Sequence, residues 1–282
     1  MNLYINCVDN DISFNKKNYL MRAAKRMNYN FVIDYNLIQA KPNLDYVLNI
    51  EPYDQFVKGE LWTGLWNIDL LLDKDWKLSD WAVADTVFTA IGHYPRSTEG
   101  FKDKMKILFQ ACDPILHRRM PEVKQEYDFV LCGTQGLDIY TERRRLIAIM
   151  ADKFTYKDYG MGYVPEKYVL NYNTAKVQWI RSMGKKPEEG ELAQRFFECM
   201  AIGPVLTNET LDLPHTGFVE SYDYLSYKSD DEMIKKMQLL LDNPKMAAAL
   251  AANARHKSLL YHTYENRLIT ILQTIEHDKK NT

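Results

Sequence analysis

The stretch that decides the fold is RFFECMAIGPVLTN, which runs from Arg195 to Asn208. Residues 191–201 predict a helix, and the following Gly203-Pro204 pair predicts a sharp turn. The apolar residues after that turn, 205–208, predict a buried strand. A helix that leads through a tight turn into a buried strand is typical of α/β proteins with parallel sheets.

The same alternation of strands and helices extends along the chain in both directions. Short apolar runs predict strands, and stretches with helical apolar spacing predict helices. Thr141 is a candidate N-cap, and residues 175–182 read as short and irregular. The predicted strands are residues 3–8, 30–34, 46–50, 64–69, 86–88, 104–110, 127–132, 166–171 and 205–208. The predicted helices are residues 18–27, 141–153, 191–201, 231–241, 245–255 and 264–277.

A polar segment at residues 117–126 interrupts this pattern. It contains Pro121 and has no apolar periodicity, so it reads as a linker between domains. Strand–helix alternation restarts directly after it. The sequence therefore predicts a first domain over residues 1–119, a second over 120–262, and a final helix and tail over 263–282.

Charge and composition exclude several classes of protein. The chain has 282 residues with 36 Lys and Arg against 38 Asp and Glu, which gives a net charge of −2. A protein that binds nucleic acid through phosphate neutralisation alone is usually basic. The same balance argues against a polybasic membrane surface. The sequence favours a globular protein, and the overall balance leaves open a local basic cleft.

Localisation follows from what the sequence contains. No apolar run approaches the length of about 20 residues that a membrane span requires, and the first residues do not resemble a signal peptide. The four cysteines, Cys7, Cys112, Cys132 and Cys199, form no C-x-x-C pair, and three of them lie in apolar runs. We expect buried thiols in a reducing compartment and a cytoplasmic protein without a membrane span.

The predicted helix at residues 191–201 carries the strongest candidate site. Arg195 and Glu198 are three positions apart and share a face. A carboxylate here can accept hydrogen bonds from the two hydroxyls of a ribose, and an arginine one turn earlier can meet a diphosphate. The helix N-terminus, predicted near Gly190, can also face phosphate oxygens. The alternative is an ordinary ion pair on a helix surface.

Residues 195–208 resemble the R-x-F-E-x-x-A-x-G-x-x-[LV]-T-[DN] signature of glycosyltransferases with the GT-B fold. More narrowly, they resemble the group called spore maturation protein CgeB-like, or glycosyl transferase family 1-like. Weaker matches extend the resemblance over most of the chain. They are LWNID at residues 65–69, ACDP at 111–114 with His117, FVLCG at 129–133, LLLDNP at 239–244 and HTYENR at 262–267.

This resemblance implies two Rossmann-like domains that face a central cleft, with a C-terminal helix that crosses back to the N-terminal domain. The C-terminal domain would bind a nucleotide diphosphate sugar, and the N-terminal domain would bind the acceptor. Glu198 would hold the donor ribose, and Arg195 would lie near the diphosphate. A loop that contains Gly133, Thr134 and Gly136 would lie under the donor phosphates. No cofactor and no metal ion would be required.

Catalysis needs a cation at the leaving group and, in an inverting enzyme, a base at the acceptor. Arg143 or Arg144 could neutralise the departing diphosphate, although the arginine run could equally be a solvated helix face. Asp69 is the first candidate for the general base, followed by His93 and Asp113. Asp69 could instead cap the end of its strand, and His93 could be an ordinary loop histidine.

One position departs from the pattern of many proteins with this fold. They carry a second glutamate eight positions before the ribose glutamate, whereas this chain has Gly190 there. The sequence therefore leaves open whether the sugar is transferred with retention or inversion.

Three functions remain as hypotheses. The first is a hexosyltransferase that uses a nucleotide diphosphate sugar, with a UDP-sugar as the expectation from the family. Its acceptor could be a glycan or a small molecule. The second uses a modified base in DNA as acceptor, and the third is a nucleotide-sugar binding module without catalysis. Further residues are candidates for pocket lining or for an aromatic acceptor platform: His117, His215, Trp62, Trp66, Trp76 and Trp81.

Overall fold

A computed structural model gives the structure of the chain. It describes residues 2–7, 16–35, 44–50, 56–67, 82–90, 96–133, 140–160, 164–181 and 192–281. These residues form two compact units, residues 1–110 with 264–282 and residues 111–263.

The first unit is built on a six-stranded parallel sheet with the order β2-β1-β3-β4-β5-β6. The strands β1 and β3 are buried along their whole length, which explains why their residues are apolar apart from Asn6 and Asn49. The strands are β1 (Leu3–Cys7), β2 (Val32–Asp34), β3 (Tyr46–Ile50), β4 (Trp62–Asn67), β5 (Thr86–Thr89) and β6 (Met105–Ile107). A 3₁₀ helix at Arg96–Lys104 precedes β6.

Two helices of the first unit, α1 (Lys16–Arg26) and the C-terminal α7 (Tyr264–Asn281), pack against each other. The rings of Tyr19 and Tyr264 stack with centroids 5.0 Å apart. At the other end of α7, Asp278 accepts hydrogen bonds from the indole of Trp62 and the hydroxyl of Thr86, at 3.0 and 2.7 Å. The last helix therefore packs on the N-terminal sheet, which confirms the predicted crossover.

The second unit contains five parallel strands in two ladders, β7 with β8 and β9 with β10 and β11. Backbone bonds from Lys176 and Val177 to Tyr127 and Asp128 link the ladders. The strands are β7 (Phe129–Leu131), β8 (Tyr156–Asp158), β9 (Gln178–Ile180), β10 (Val205–Asn208) and β11 (Leu225–Tyr227). The helices are α2 (Thr141–Ala151), α3 (Pro165–Asn173), α4 (Gln194–Met200), α5 (Asp230–Asp242) and α6 (Pro244–Tyr261), with a 3₁₀ turn at Leu213–Thr216.

The core of the second unit forms where the buried sides of α2, α5 and α6 meet the sheet. Phe129 in β7 lies between two aromatic rings, with centroid distances of 4.7 Å to Tyr156 and 5.9 Å to Trp179. Met233 and Met237 of α5 are fully buried in the same cluster. Aromatic pairs of this kind add packing energy to simple area burial, so the cluster fixes the strand ends on which the site depends.

The fold class predicted from the sequence, two parallel α/β units, is confirmed, and two local assignments are wrong. Residues 166–171 are not a strand, because they lie inside α3. The buried positions of α3 include Tyr168 and Tyr172, which are one helical turn apart, and Pro165 begins the helix. Residues 175–182 are not irregular, since they contain the buried strand β9.

The helix start at Thr141 also differs from the prediction. Tyr140 occupies the N-cap position and makes no capping bond with its side chain. Thr141 is the first helical residue, and its hydroxyl accepts a hydrogen bond from Arg144 at 2.9 Å. The remaining predicted helices are present with shifted ends, and α6 continues to Tyr261, beyond the predicted residue 255.

The predicted burial of the cysteines is confirmed, since all four are buried thiols.

Among the described residues, no helix combines the length and the apolar character needed to cross a membrane.

Candidate functional site

The carboxyl ends of β7 and β9 place several cations together in the second unit. Gly133 lies just beyond β7, and Arg181 directly follows β9. The helices α2 and α4 carry Arg143 and Arg195 in their first turns. In a parallel α/β sheet, strand ends and the helix starts that follow them meet at one edge, where ligands bind.

The guanidinium of Arg195 lies directly against the backbone of Gly133. A methyl group at Gly133 would be 2.9 Å from Nη2 and 3.1 Å from Nη1 of Arg195. The glycine also has a φ of +156°, a conformation that L side chains rarely adopt. Both observations explain a glycine at this position: it allows the close approach of a cation to the strand end.

Arg143 is a buried cation in the same cluster, with 6% of its surface exposed. Its guanidinium lies 4.5 Å from the centre of the Tyr140 ring, and Nη2 donates to the carbonyl of Arg181 at 3.3 Å. Burial, followed by repulsion from Arg195, lowers the pKa of Arg143 to about 10. The guanidinium stays charged at neutral pH, so the cluster offers two adjacent positive charges to an anion.

The other two arginines of the run have different surroundings. Arg144 is half-buried and donates to Thr141. Arg145 is exposed and pairs with Glu142 at 2.8 Å and with Asp230 at 2.6 Å. The solvated-face interpretation therefore describes Arg145, whereas Arg143 points into the cluster with Arg195.

Glu198, three residues after Arg195, is 1% exposed. Its Oε2 accepts a hydrogen bond from the Tyr168 hydroxyl at 2.9 Å, and its Oε1 accepts one from the Gln194 amide at 2.7 Å. Burial, followed by the nearby carboxylate, raises the pKa of Tyr168 well above its usual value, so its hydroxyl stays a donor. The alternative of an exposed surface ion pair is wrong for this carboxylate, because it is buried.

His117 completes the surroundings of Glu198 and is fully buried. Its Nδ1 accepts a hydrogen bond from the backbone N–H of Asp113 at 2.8 Å. The proton of the neutral ring is therefore on Nε2, which lies 3.5 Å from Oε1 of Glu198. The predicted pocket-lining histidine is thus a buried neighbour of the carboxylate, whereas His215 is exposed on the 3₁₀ turn.

Sequence reasoning did not find Tyr168 or Gln194 as neighbours of Glu198. Gln194 could have been found from its spacing, since it is four residues before Glu198 on one helix. Tyr168 was hidden by the strand assignment. The strand assignment hid that Tyr168 and Tyr172 lie on one face of a helix. The signal that could have corrected the assignment is Pro165, which is typical of a helix start.

Other predicted residues have structural roles or lie outside the described residues. Asp113 is buried, and its Oδ1 caps a turn by accepting from the backbone of Ile115 and Leu116 at 3.0 and 3.1 Å. Trp62 and Trp66 are core residues with 2% and 0% exposure, so they form no surface platform. The residues outside the described ranges are Asp69, His93, Thr134, Gly136, Gly190, Trp76 and Trp81.

Within the described ranges, no group of three or more histidine, cysteine, aspartate or glutamate side chains is placed to hold a metal ion. Arg143, Arg181 and Arg195 concentrate positive charge at the strand ends.

Solved structures share this fold over the whole chain. A glycosyltransferase from Rickettsia africae has a TM-score of 0.64 and 10% identity, with 100% of this chain and 99% of that chain covered. Anabaena Alr3699/HepE in complex with UDP has a TM-score of 0.63 and 12% identity, with 98% and 100% covered. The DNA-modifying enzyme β-glucosyltransferase has a TM-score of 0.59 and 12% identity, with 98% and 100% covered. These likenesses establish the GT-B fold.

No curated protein matches the sequence. A family model described as glycosyl transferase-like matches residues 113–273, which is more than half of the chain and includes the cluster at the strand ends, Glu198 and His117. This chain belongs to the glycosyl transferase-like family.

Proposed function

We propose that the protein is a glycosyltransferase that moves a hexose from a nucleotide diphosphate sugar, with a UDP-sugar as the first candidate. The observation that carries this proposal is the pair of neighbouring cations Arg143 and Arg195 at the carboxyl ends of the strands, where Arg195 lies against Gly133. Arg143 is buried and Arg195 is half-buried, and the two charges lie close enough to repel each other. A diphosphate bound beside them would reduce that repulsion.

The proposed role of the pair is to stabilise the departing nucleotide diphosphate. Negative charge develops on the diphosphate as the bond to the sugar breaks, and cations fixed beforehand stabilise that charge more than the ground state. Arg143 is held by its stacking on Tyr140 and its bond to Arg181. Such fixed guanidiniums would take the part that metal ions take in other transferases, which supports a reaction without a metal cofactor.

Glu198 is the proposed ribose ligand. Its Oε1 is bonded to Gln194, whose side chain is only half-buried at the first turn of α4. A rotation of that flexible amide would offer Oε1 to a ribose hydroxyl, while Tyr168 continues to hold Oε2. Donor binding would then exchange one hydrogen bond for another at a carboxylate whose orientation is already fixed.

The other assignments remain part of the proposal. Thr134 and Gly136 would continue the loop under the donor phosphates, and Gly190 would precede the helix that carries Glu198. Asp69 and His93 stay the candidates for the base at the acceptor. The chain would fall in the CgeB-like group, on the basis of the motif at residues 195–208. The complexes of Anabaena Alr3699/HepE with UDP and with UDP-glucose support uridine as the nucleoside of the donor.

The experiment that tests the proposal is a donor screen. The pure protein is mixed with a panel of nucleotide diphosphate sugars, and thermal shift and release of the nucleotide diphosphate are followed together. Stabilisation and slow release with one donor would support a transferase and name the donor. Stabilisation without release, even with broad acceptor mixtures, would favour the binding module. No response to any donor would contradict the proposal.

A DNA acceptor is a second candidate, favoured by the fold shared with the DNA-modifying β-glucosyltransferase. The net charge of −2 is against it, because DNA binding draws on clustered cations. The test is transfer of labelled sugar to duplex DNA that carries a hydroxymethylated base, with unmodified duplex as the control. If neither duplex is labelled while a glycan or a small molecule accepts the sugar, DNA is excluded as the acceptor.

A further inference from the structure

A cavity lies wholly within the unit of residues 111–263, at the opposite edge of the sheet from Arg143 and Arg195. Its walls include Val177, which precedes β9, and Pro204, which precedes β10. The cavity has a volume of about 400 Å³. That volume is within the range of sites that bind small organic molecules.

One side of this cavity is apolar. Val177 and Leu240 are 1% and 2% exposed and form its inner wall. The helix α6 contributes alanines, among them Ala248 and Ala251, whose small side chains leave the space open. A hydrocarbon chain or ring of a ligand would therefore contact aliphatic side chains, and its apolar surface would be removed from water.

The rim of the cavity is cationic. It carries Arg119, Lys176 and Arg255, and no aspartate or glutamate is among the described residues that line it. The charge of Lys176 is balanced by Asp128, with 2.8 Å between Nζ and Oδ1. The two guanidiniums have no such ion pair within the described part of the chain. They are the charges that a ligand could balance.

Both guanidiniums are held in place while they keep hydrogen-bond donors for a ligand. Arg119 uses Nη1 for the backbone and side-chain oxygens of Asn173, at 3.1 and 3.4 Å. Arg255 uses Nη1 for the carbonyls of His117 and Ala201, at 3.1 and 2.8 Å. Among the described residues, no acceptor is within hydrogen-bond geometry of the Nε or Nη2 groups of either side chain. A fork of two N–H groups is the geometry that binds carboxylate and phosphate.

We propose that this cavity binds a small amphiphilic anion, with its acidic head on Arg119 and Arg255 and its apolar body against Val177, Leu240 and the alanines of α6. An inorganic anion has no apolar group to bury against the apolar wall. A neutral molecule has no charge to pair with the two arginines. Burial lowers the pKa of Arg119, and a bound anion would offset the desolvation that causes this shift. None of these residues belongs to the donor site, so this proposal stands apart from the proposed function.

Octanoate is the probe, because it combines a carboxylate with a hydrocarbon chain that fits the cavity. Binding to the full-length protein is measured by calorimetry and thermal shift, with 1-octanol and inorganic phosphate as the two half-ligands. We expect octanoate to bind at one site, with a dissociation constant at least about tenfold below that of either half-ligand. Octyl phosphate in parallel identifies the preferred head group. Failure of both octanoate and octyl phosphate to bind would overturn the proposal.

Two pairs of variants locate the site. Ala248→Trp fills the cavity, whereas Ala249→Trp changes an exposed neighbour on the same helix that does not line it. Arg119→Gln removes a rim charge, whereas Arg118→Gln removes an exposed charge from the preceding residue, which does not line the cavity. We expect octanoate binding to weaken about tenfold or more in the first member of each pair and to stay unchanged in the second. Wild-type affinity in both Ala248→Trp and Arg119→Gln would contradict this location.

Discussion

Two arginines of α2, Arg143 and Arg145, lie two residues apart and in opposite electrostatic surroundings. Arg145 is exposed, and hydrogen bonds from it to Glu142 and Asp230 hold its pKa above the usual value. Arg143 is buried, and its pKa is lowered by that burial and by the second cation, Arg195. Arg145 is paired with two carboxylates, whereas Arg143 lies near the arginines Arg181 and Arg195.

We propose that this difference separates a structural cation from one that binds the donor. An exposed arginine with carboxylate neighbours is an ordinary surface ion pair, worth little to stability. A buried arginine whose pKa is lowered by burial and by a neighbouring arginine is a candidate for a role in binding. The comparison predicts that the two residues respond in opposite ways to mutation: Arg143 controls the reaction, and Arg145 makes a small contribution to stability.

The largest expected effect is on turnover in Arg143→Ala. We expect a fall of about 100-fold to 1,000-fold in the rate of nucleotide diphosphate release, the size seen when a fixed group that stabilises developing charge is removed. Donor affinity should fall less, because the group acts mainly on the leaving group. Steady-state kinetics measures both quantities. Arg145→Ala is the control, and equal rates in the two variants would remove the distinction between the arginines.

Glu198→Ala tests the ribose assignment. We expect donor binding to weaken by about 1–3 kcal/mol, because the hydroxyl groups of the ribose lose a buried acceptor. Calorimetric titration with the donor measures this change, and a circular dichroism spectrum checks that the variant is folded. Gln194→Ala is the matched control, since it removes the neighbour of Oε1 but keeps the carboxylate. Unchanged donor affinity in folded Glu198→Ala would exclude the assignment.

Gly133→Ala tests the close approach of Arg195 to the strand end. The added methyl would lie 2.9 Å from Nη2 of Arg195, so the guanidinium has to move. We expect about a tenfold loss of donor affinity, which corresponds to about 1.4 kcal/mol. Gly100→Ala is the control, because a methyl group there meets nothing within 4 Å. If both variants bind the donor like the wild type, the position of Arg195 does not matter for binding.

The smallest expected effect is the loss of stability in Arg145→Ala, at most about 1 kcal/mol at pH 7. The hydrogen bonds from Arg145 lower the pKa values of Glu142 and Asp230, so their contribution is present above the ordinary carboxyl range and is lost as pH falls through the lowered values. Urea unfolding at pH 7 and near pH 3 should therefore show a difference from the wild type that shrinks in acid. A difference that grows in acid would contradict this sign.

The sequence predicted the six strands of the first unit, but it missed β8, β9 and β11 of the second unit. The run at residues 46–50 is apolar apart from Asn49 and fully buried, and it forms β3 with the predicted ends. Residues 166–171 read as a strand, since Tyr168 and Val169 favour strands by intrinsic preference. Packing of Tyr168 and Tyr172 on one face of a helix overrides that preference, and it places the hydroxyl of Tyr168 on Glu198.

The sequence predicted residue types for the candidate site, and the roles of those residues stay predictions. The spacing of Arg195 and Glu198 suggested a cation and a carboxylate on one helix, but spacing alone did not show that the carboxylate is buried. The sequence also did not distinguish Arg143 from Arg144 as the candidate cation. Only the fold shows that Arg143 is the buried member of the three consecutive arginines and lies near Arg181 and Arg195.

The central claim, that Arg143 belongs to a diphosphate site, is tested most directly by the affinities of UDP and uridine for the wild type, Arg143→Ala and Arg145→Ala. The ratio of the two affinities isolates the diphosphate from the nucleoside, and comparison between variants isolates the arginine. The account predicts that the preference for UDP over uridine falls about tenfold or more in Arg143→Ala and stays at the wild-type value in Arg145→Ala. The same preference in all three proteins would contradict it.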